Sequence, residues 1–173
     1  MIFELVADLK RYQSDKKYNE HTVTKVSHER DKVVLNIIRS DELKVGDILK
    51  LNNGEMVPAD CLVLSTGEIN GMCYISTETL DGELNLKPKL SPTITQGKLK
   101  DLVLNNSKID LSYINPDRGI YTFNGLMSHL ETSETHNELE LKNFIPRGAV
   151  LKNSEDVYVC VLYTGPDTKL VLN

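Results

Sequence analysis

Asp81, Glu83 and Lys87 are the residues whose types and spacing suggest chemistry. They stand in Thr79-Leu80-Asp81-Gly82-Glu83-Leu84-Asn85-Leu86-Lys87, where an acidic pair brackets a glycine and an amide and a lysine follow. Gly82 takes positive φ at no steric cost, so Asp81-Gly82 is expected to form a tight turn. Such a turn throws Glu83 to the end of a loop, where a carboxylate held out on a stiff support can serve as a base toward water. A solvated turn residue is the competing reading, because Asp-Gly alone is a common turn signal. A third reading takes Glu78, Asp81 and Glu83 as the carboxylate set of a stand-alone hydrolase. Adjacent carboxylates on one loop rarely give the separation and opposed faces that such chemistry wants.

The elements that must hold this loop read as short strands. Thr22-Val23-Thr24-Lys25-Val26 and Lys32-Val33-Val34-Leu35-Asn36-Ile37-Ile38 flank a polar turn at His28-Glu29-Arg30-Asp31, which predicts a hairpin. Gly46-Asp47 and Asn52-Asn53-Gly54-Glu55 are turns on either side of another strand. Cys61-Leu62-Val63-Leu64 and residues 71–77 are strands that lead to the loop, and Pro88 to Pro92 is a proline-bounded exit from it. Beyond, residues 109–113 and 121–125 are strand-like, 131–140 form an exposed acidic loop, and 144–153 return to the core. Residues 157–163 are the clearest buried strand and lead to a helix start at 164–169. Helical spacing occurs at Ile2, Leu5, Val6, Leu9 and Tyr12, and again over 96–104. Asp47 and Asp60, short carboxylates beside turns, are expected to accept backbone N–H bonds.

Composition narrows the function. With 173 residues the chain holds one domain, or one domain plus an arm. The net charge of −5 and the lack of a basic cluster interleaved with aromatics argue against a nucleic-acid partner. Cys61, Cys73 and Cys160 are far apart, odd in number and set in apolar runs, so buried reduced thiols are expected. The four histidines show no ligand spacing, and no metal site is expected. No apolar run reaches the roughly 20 residues that span a bilayer.

Several motifs together resemble the phospholipid-transporting (flippase) class of P-type ATPases, in the actuator domain. Asp81-Gly82-Glu83-Leu84-Asn85-Leu86-Lys87 is similar to that class's Asp-Gly-Glu-Thr-Asn-Leu-Lys, and Gly71-Met72-Cys73-Tyr74-Ile75 precedes it as in the class. Val45-Gly46-Asp47-Ile48 followed by Val57-Pro58-Ala59-Asp60, then Tyr121-Thr122-Phe123-Asn124-Gly125 and Arg147-Gly148, resemble further actuator elements. Arg11, Asp15 and Asn19 match a spacing found after the second membrane helix. Ion-pumping relatives usually read Thr-Gly-Glu-Ser at the loop and lack the Asn-Leu-Lys tail. The Asp-Lys-Thr-Gly-Thr segment that carries the phosphorylated aspartate is absent from this sequence.

The resemblance implies a mainly β, distorted jelly-roll (double-stranded β-helix) domain with short helices at its ends. Residues 1–20 would be a helical arm leading from a membrane helix, 21–165 the β-rich actuator, and 166–173 the lead to the next membrane helix. Glu83, with Gly82 and Asp81, would act on an aspartyl phosphate carried by another domain. Asn85, Lys87 and Leu84 would support the loop, although Leu84 replaces the class's threonine. Arg147 either pairs with an acid of its own domain or contacts the domain that carries phosphate. No cofactor is expected here; ATP and Mg²⁺ would belong to other domains of the parent pump. Implied partners are the phosphorylation and nucleotide-binding domains of the same polypeptide, membrane helices at both ends, and phospholipid as the parent's substrate. A small accessory membrane subunit is a further candidate. The location would be a cytoplasmic domain of an integral membrane protein. A cation-transporting ATPase and a non-catalytic β-sandwich interaction module are the alternatives.

Overall fold

A computed structural model describes residues 21–30, 32–99, 103, 109–129 and 132–173. The expected arm over 1–20, with Arg11, Asp15 and Asn19, lies outside them, as do residues 100–102 and 104 of the helix expected over 96–104. The mainly β expectation is met: the described residues hold twelve strands in three antiparallel sheets.

The largest sheet has six strands: β1 (Thr22–Glu29), β2 (Lys32–Arg39), β3 (Ile48–Leu51), β4 (Asp60–Ser65), β10 (Phe144–Ile145) and β12 (Val157–Tyr163). Their order is β10-β4-β12-β3-β1-β2. β5 (Met72–Ser76), β6 (Lys87–Leu90) and β11 (Val150–Lys152) form a second sheet, and β7 (Ile109–Tyr113), β8 (Asn124–His129) and β9 (Thr132–Glu140) a third. Alternation along the central strands divides the core in two. Leu49, Leu51, Val63, Val159 and Val161 pack with Cys73, Ile75 and Leu151 of the second sheet. Leu62, Leu64 and Leu162 pack with Met127 and Leu139 of the third. Burial on both faces explains why β4 and β12 read as continuous apolar runs rather than as alternating ones.

Three expectations change. Residues 131–140 are not a loop; from Thr132 they form β9. Leu139 is buried and Asn137 half-buried between exposed His136, Glu138 and Glu140, a period of two disguised by polar composition. The proline-bounded exit is a strand, β6. It tolerates Pro88 because it lies at the edge of its sheet, where a missing N–H costs no ladder bond. The strand expected over 121–125 starts only at Asn124, so Tyr121 lies on the preceding connection. The tight turn expected at Asp81-Gly82, with Gly82 at positive φ, is made as the end of a one-turn helix, α1 (Glu78–Asp81), which was not expected. A second short helix, α2 (Lys169–Leu172), follows β12.

Buried and half-buried polar groups tie these layers together. Asp60 is fully buried; its Oδ1 accepts the Arg147 N–H at 2.7 Å and its Oδ2 the Lys169 N–H at 2.7 Å. Burial pushes its carboxyl above the ordinary value, and the two amide bonds work against that shift. Asp47 likewise accepts the Lys44 N–H at 3.0 Å and pairs with Lys25 at 2.7 Å. Lys89, on β6, is buried with its Nζ donating to the Leu141 carbonyl at 2.7 Å, and desolvation lowers its pKa to about 8. Cys61 and Cys73 are buried free thiols and Cys160 is half-buried; burial pushes Cys73 and Cys160 up to about 12.

Asp60→Ala leaves two buried N–H donors without acceptors, at about 1–3 kcal/mol each. Urea unfolding should show a loss of that order, with Asp60→Asn losing less because one acceptor oxygen remains. Lys89 sheds its proton near pH 8 when folded but near 10.5 when unfolded. Between those values the unfolded chain binds more protons, so folding gains stability as pH rises through the window. Lys89→Met should remove that rise, as read from denaturation midpoints below pH 8 and near the window's upper end.

Candidate functional site

The Asp-Gly-Glu loop is the connection of the β5–β6 hairpin, whose strands pair Ile75 with Lys87. The chain leaves β5 through Thr77, makes the single turn of α1, and reverses at Gly82. That glycine sits at φ 75° and ψ 4°, donating its N–H to the Glu78 carbonyl at 3.0 Å. A Cβ added at Gly82 would meet nothing within 4 Å, so its requirement is the left-handed backbone and not space.

The underside of α1 is fastened to the body. Leu80 packs on the first core, and the Thr79 hydroxyl donates to the Gly148 carbonyl at 3.2 Å. Gly148 has φ 86°, a conformation that favours glycine, and a Cβ there would press Leu80 Cδ2 at 3.0 Å. The turn that carries Gly148 is in turn held by Asp60 through Arg147 N–H.

Above this base the carboxylate of Asp81 collects donors. Thr77 Oγ1 lies 3.0 Å from both of its oxygens, the Glu83 N–H donates to Oδ1 at 3.0 Å, and Lys87 Nζ donates to Oδ2 at 2.6 Å. The Tyr121 hydroxyl also donates to Oδ2. The Lys87 ammonium, assisted by the Tyr121 hydroxyl and the Glu83 N–H, holds the Asp81 carboxyl well below the usual carboxylate range. Desolvation pulls Lys87 down, yet Asp81 and Glu83 outweigh it and keep the ammonium above its ordinary value. Lys87 Nζ also pairs with Glu83 Oε2 at 2.9 Å and lies 4.8 Å from the centre of the Tyr121 ring.

Glu83 itself points outward, its side chain 59% exposed. Of the residues expected to support the loop, Lys87 does so by contact. Leu84 is 78% exposed, and Asn85 makes no side-chain hydrogen bond among the described residues. Both project from the loop because its internal bonds close through Asp81 and Lys87. The Arg147 guanidinium finds no acidic partner among the described residues. It lines a groove of about 220 Å³ with Ser40, Asp41, Pro58 and Thr164, and only its backbone N–H meets Asp60. No three His, Cys, Asp or Glu side chains among the described residues converge into a metal-ligating group. Lys87 lies between Asp81 and Glu83 as their shared counter-charge, which leaves no opposed carboxylate pair for glycosidase-type hydrolysis.

Sequence reading missed Thr77, Thr79, Gly148 and Tyr121. Thr77 stands four residues before Asp81, a helical spacing that could have been noticed. Tyr121 stands forty residues away on a different connection, and no local pattern points to it.

A family model described as the P-type ATPase actuator domain matches residues 17–171. The chain is 35% identical over 170 residues to the phospholipid-transporting ATPase DRS2 of Saccharomyces cerevisiae, covering 98% of this chain and 12% of that protein. It is 34% identical over 173 residues to the human phospholipid-transporting ATPase IC, covering 99% of this chain and 13% of that one. A Toxoplasma gondii protein named guanylate cyclase is 32% identical over 173 residues, 100% of this chain and 4% of its own length. The chain thus spans about an eighth of the two ATPases. With a loop built as described and a family match over nearly its whole length, this chain belongs to the actuator-domain family of P-type ATPases.

Proposed function

We propose that this chain serves as the actuator of a phospholipid-translocating P-type ATPase and that Glu83 drives breakdown of the aspartyl phosphate. One observation carries the reading. Glu83 stands exposed just past the Gly82 reversal, its N–H bonded to Asp81 and its carboxylate paired with Lys87, on a base fastened to the core. Attack of water on an acyl phosphate requires a nucleophile held in line and a group to take its proton. In the proposed step the water oxygen bonds to phosphorus, its proton passes to Glu83, and the bond to the aspartyl oxygen breaks. The aspartate is restored and inorganic phosphate leaves.

Lys87 has a part in this step. A glutamate moved toward a phosphate is repelled, and the ammonium 2.9 Å from Glu83 offsets that repulsion. Gly82 lets the backbone approach without a side chain in the way. Asp81 fixes the loop from within and does not itself meet the phosphate. ATP and Mg²⁺ act on other domains of the parent, which supply the phosphoenzyme; the isolated chain does not hydrolyse ATP. Its partners are those domains and the flanking membrane helices, which places it on the cytoplasmic side of a membrane. The lipid class is supported by the names of the relatives and by Asn85-Leu86-Lys87, which ion pumps lack. Among the described residues no helix is long and apolar enough to cross a membrane, so contacts to a lipid would lie elsewhere in the parent.

Two measurements on the parent ATPase test this reading. Glu83→Gln should accept phosphate from ATP at the normal rate and then lose it about 10²–10⁴-fold more slowly, the worth of a placed general base. Normal decay in that variant would sink the proposal. Leu84→Thr should speed decay about two- to ten-fold, the value of one added hydrogen bond. Both are read by chasing labelled phosphoenzyme with unlabelled ATP.

A further inference from the structure

Tyr121 reaches Glu83 by two routes. Its hydroxyl donates to Asp81 Oδ2, while Asp81 Oδ1 accepts the Glu83 N–H at 3.0 Å, which fixes the glutamate's backbone. Its ring lies under the Lys87 ammonium at 4.8 Å, and that ammonium pairs with Glu83 Oε2 at 2.9 Å, which fixes the side chain. No other described residue outside the β5–β6 connection and Lys87 itself bonds to the Asp81 carboxylate. Among the described residues, Tyr121 is therefore the one that hydrogen-bonds the Asp81 carboxylate from the connection leading into the third sheet.

The tyrosine is presented by a stiff segment. Two residues on, Phe123 is 2% exposed and stacks on Phe144 with ring centres 4.9 Å apart. Four residues before it, Asp117 accepts from the fully buried ammonium of Lys169, whose own N–H is held by Asp60. The Thr122 hydroxyl closes the turn onto the Gly119 carbonyl at 3.0 Å. An exposed tyrosine, 52% accessible, would ordinarily sample several rotamers. Here both its neighbours and its hydroxyl are held.

We propose that Tyr121 is a positioning residue for the Glu83 loop. It pins Asp81 through its hydroxyl and Lys87 through its ring, so that Glu83 enters the reaction already placed. The inference rests on the actuator reading above. Two separable contributions follow. Tyr121→Phe keeps the ring over Lys87 and loses the bond to Asp81; Tyr121→Leu loses both.

In the parent ATPase, Tyr121→Phe should slow phosphoenzyme decay several-fold and Tyr121→Leu by about ten-fold or more, toward the roughly 10²-fold cost of a misplaced reacting group. Phosphorylation by ATP should stay unchanged in both. The effect should vanish in a Lys87→Met, Asp81→Asn background, because the residues through which Tyr121 acts are gone. A second measurement, on the 173-residue chain, is amide hydrogen exchange at Glu83, which should quicken in Tyr121→Leu and less in Tyr121→Phe while the core strands keep their protection. Wild-type decay in both tyrosine variants, with Glu83→Gln stalled, would overturn this inference and leave the actuator reading standing. Unchanged exchange at Glu83 would overturn it whatever the kinetics. Normal decay in Glu83→Gln would instead remove the catalytic reading, and the exchange result would still decide whether Tyr121 orders the loop.

Discussion

A single carboxylate sets the shape of the loop. Asp81 is an anion with Thr77, Glu83 N–H, Lys87 and Tyr121 around it, drawn from a strand end, the loop, a strand start and a distant connection. Four elements converge because a carboxylate can accept at several lone pairs, and because charged acceptors make the stronger hydrogen bonds. A neutral side chain at that position could gather neither the ammonium nor all of the donors. Glu83 depends on this arrangement at second hand: its main chain is bonded to Asp81, and its side chain shares Asp81's counter-ion. The depressed pKa of Asp81 keeps the cluster charged across the physiological range.

The same logic recurs one layer down. Asp60 collects the N–H of Arg147 and of Lys169, which fixes the Gly148 turn under α1 and the start of α2 at once. Because β4 and β12 are buried on both faces, a shift in either core is felt at the strand ends where these ties begin. The loop therefore stands on a rigid sheet through a short series of contacts: Asp60 to Arg147 and Gly148, Gly148 to Thr79 and Leu80, and α1 to Asp81. A site that must meet a partner domain in one geometry gains from such support, since loops held by packed elements are more precise than free ones.

Much of this was legible in the sequence, and the remainder has physical reasons for being hidden. Strands β1, β2, β4, β7 and β12 showed themselves by β-branched and apolar runs bounded by turns. The loop was legible because Asp-Gly-Glu carries its own turn signal and because Asn85-Leu86-Lys87 extends it. β9 was hidden because polar residues alternate with its one apolar inward position, Leu139, and the half-buried Asn137 faces inward as an amide whose side-chain oxygen accepts the Ile94 N–H at 3.1 Å. β6 was hidden by Pro88, which argues against a strand except at an edge, and edges are a property of the sheet rather than of the segment. Tyr121 was hidden because its contact is set by how the third sheet packs, and no spacing rule spans forty residues. Support by Asn85 and Leu84, expected from their place in the motif, has no contact to carry it.

The exposure of Leu84 bears on how such a loop works. An apolar side chain that is 78% accessible beside the outward Glu83 carboxylate gains nothing from solvent. In the proposed docked state it would be covered by the phosphorylated domain, and its burial would both favour docking and exclude water other than the attacking one. In that proposed state, excluding water would strengthen the attraction between Lys87 and phosphate, because the local dielectric would fall. As that attraction grows, Lys87 would be drawn from Glu83, leaving the carboxylate oxygen open to the attacking water. A lysine shared between two carboxylates is well suited to this exchange: Asp81 holds it in place at 2.6 Å while its pairing with Glu83 is given up. The rigidity that Asp81 confers and the release that the proposed step asks of Glu83 are therefore compatible, since one cation serves both and only one of its two bonds must break.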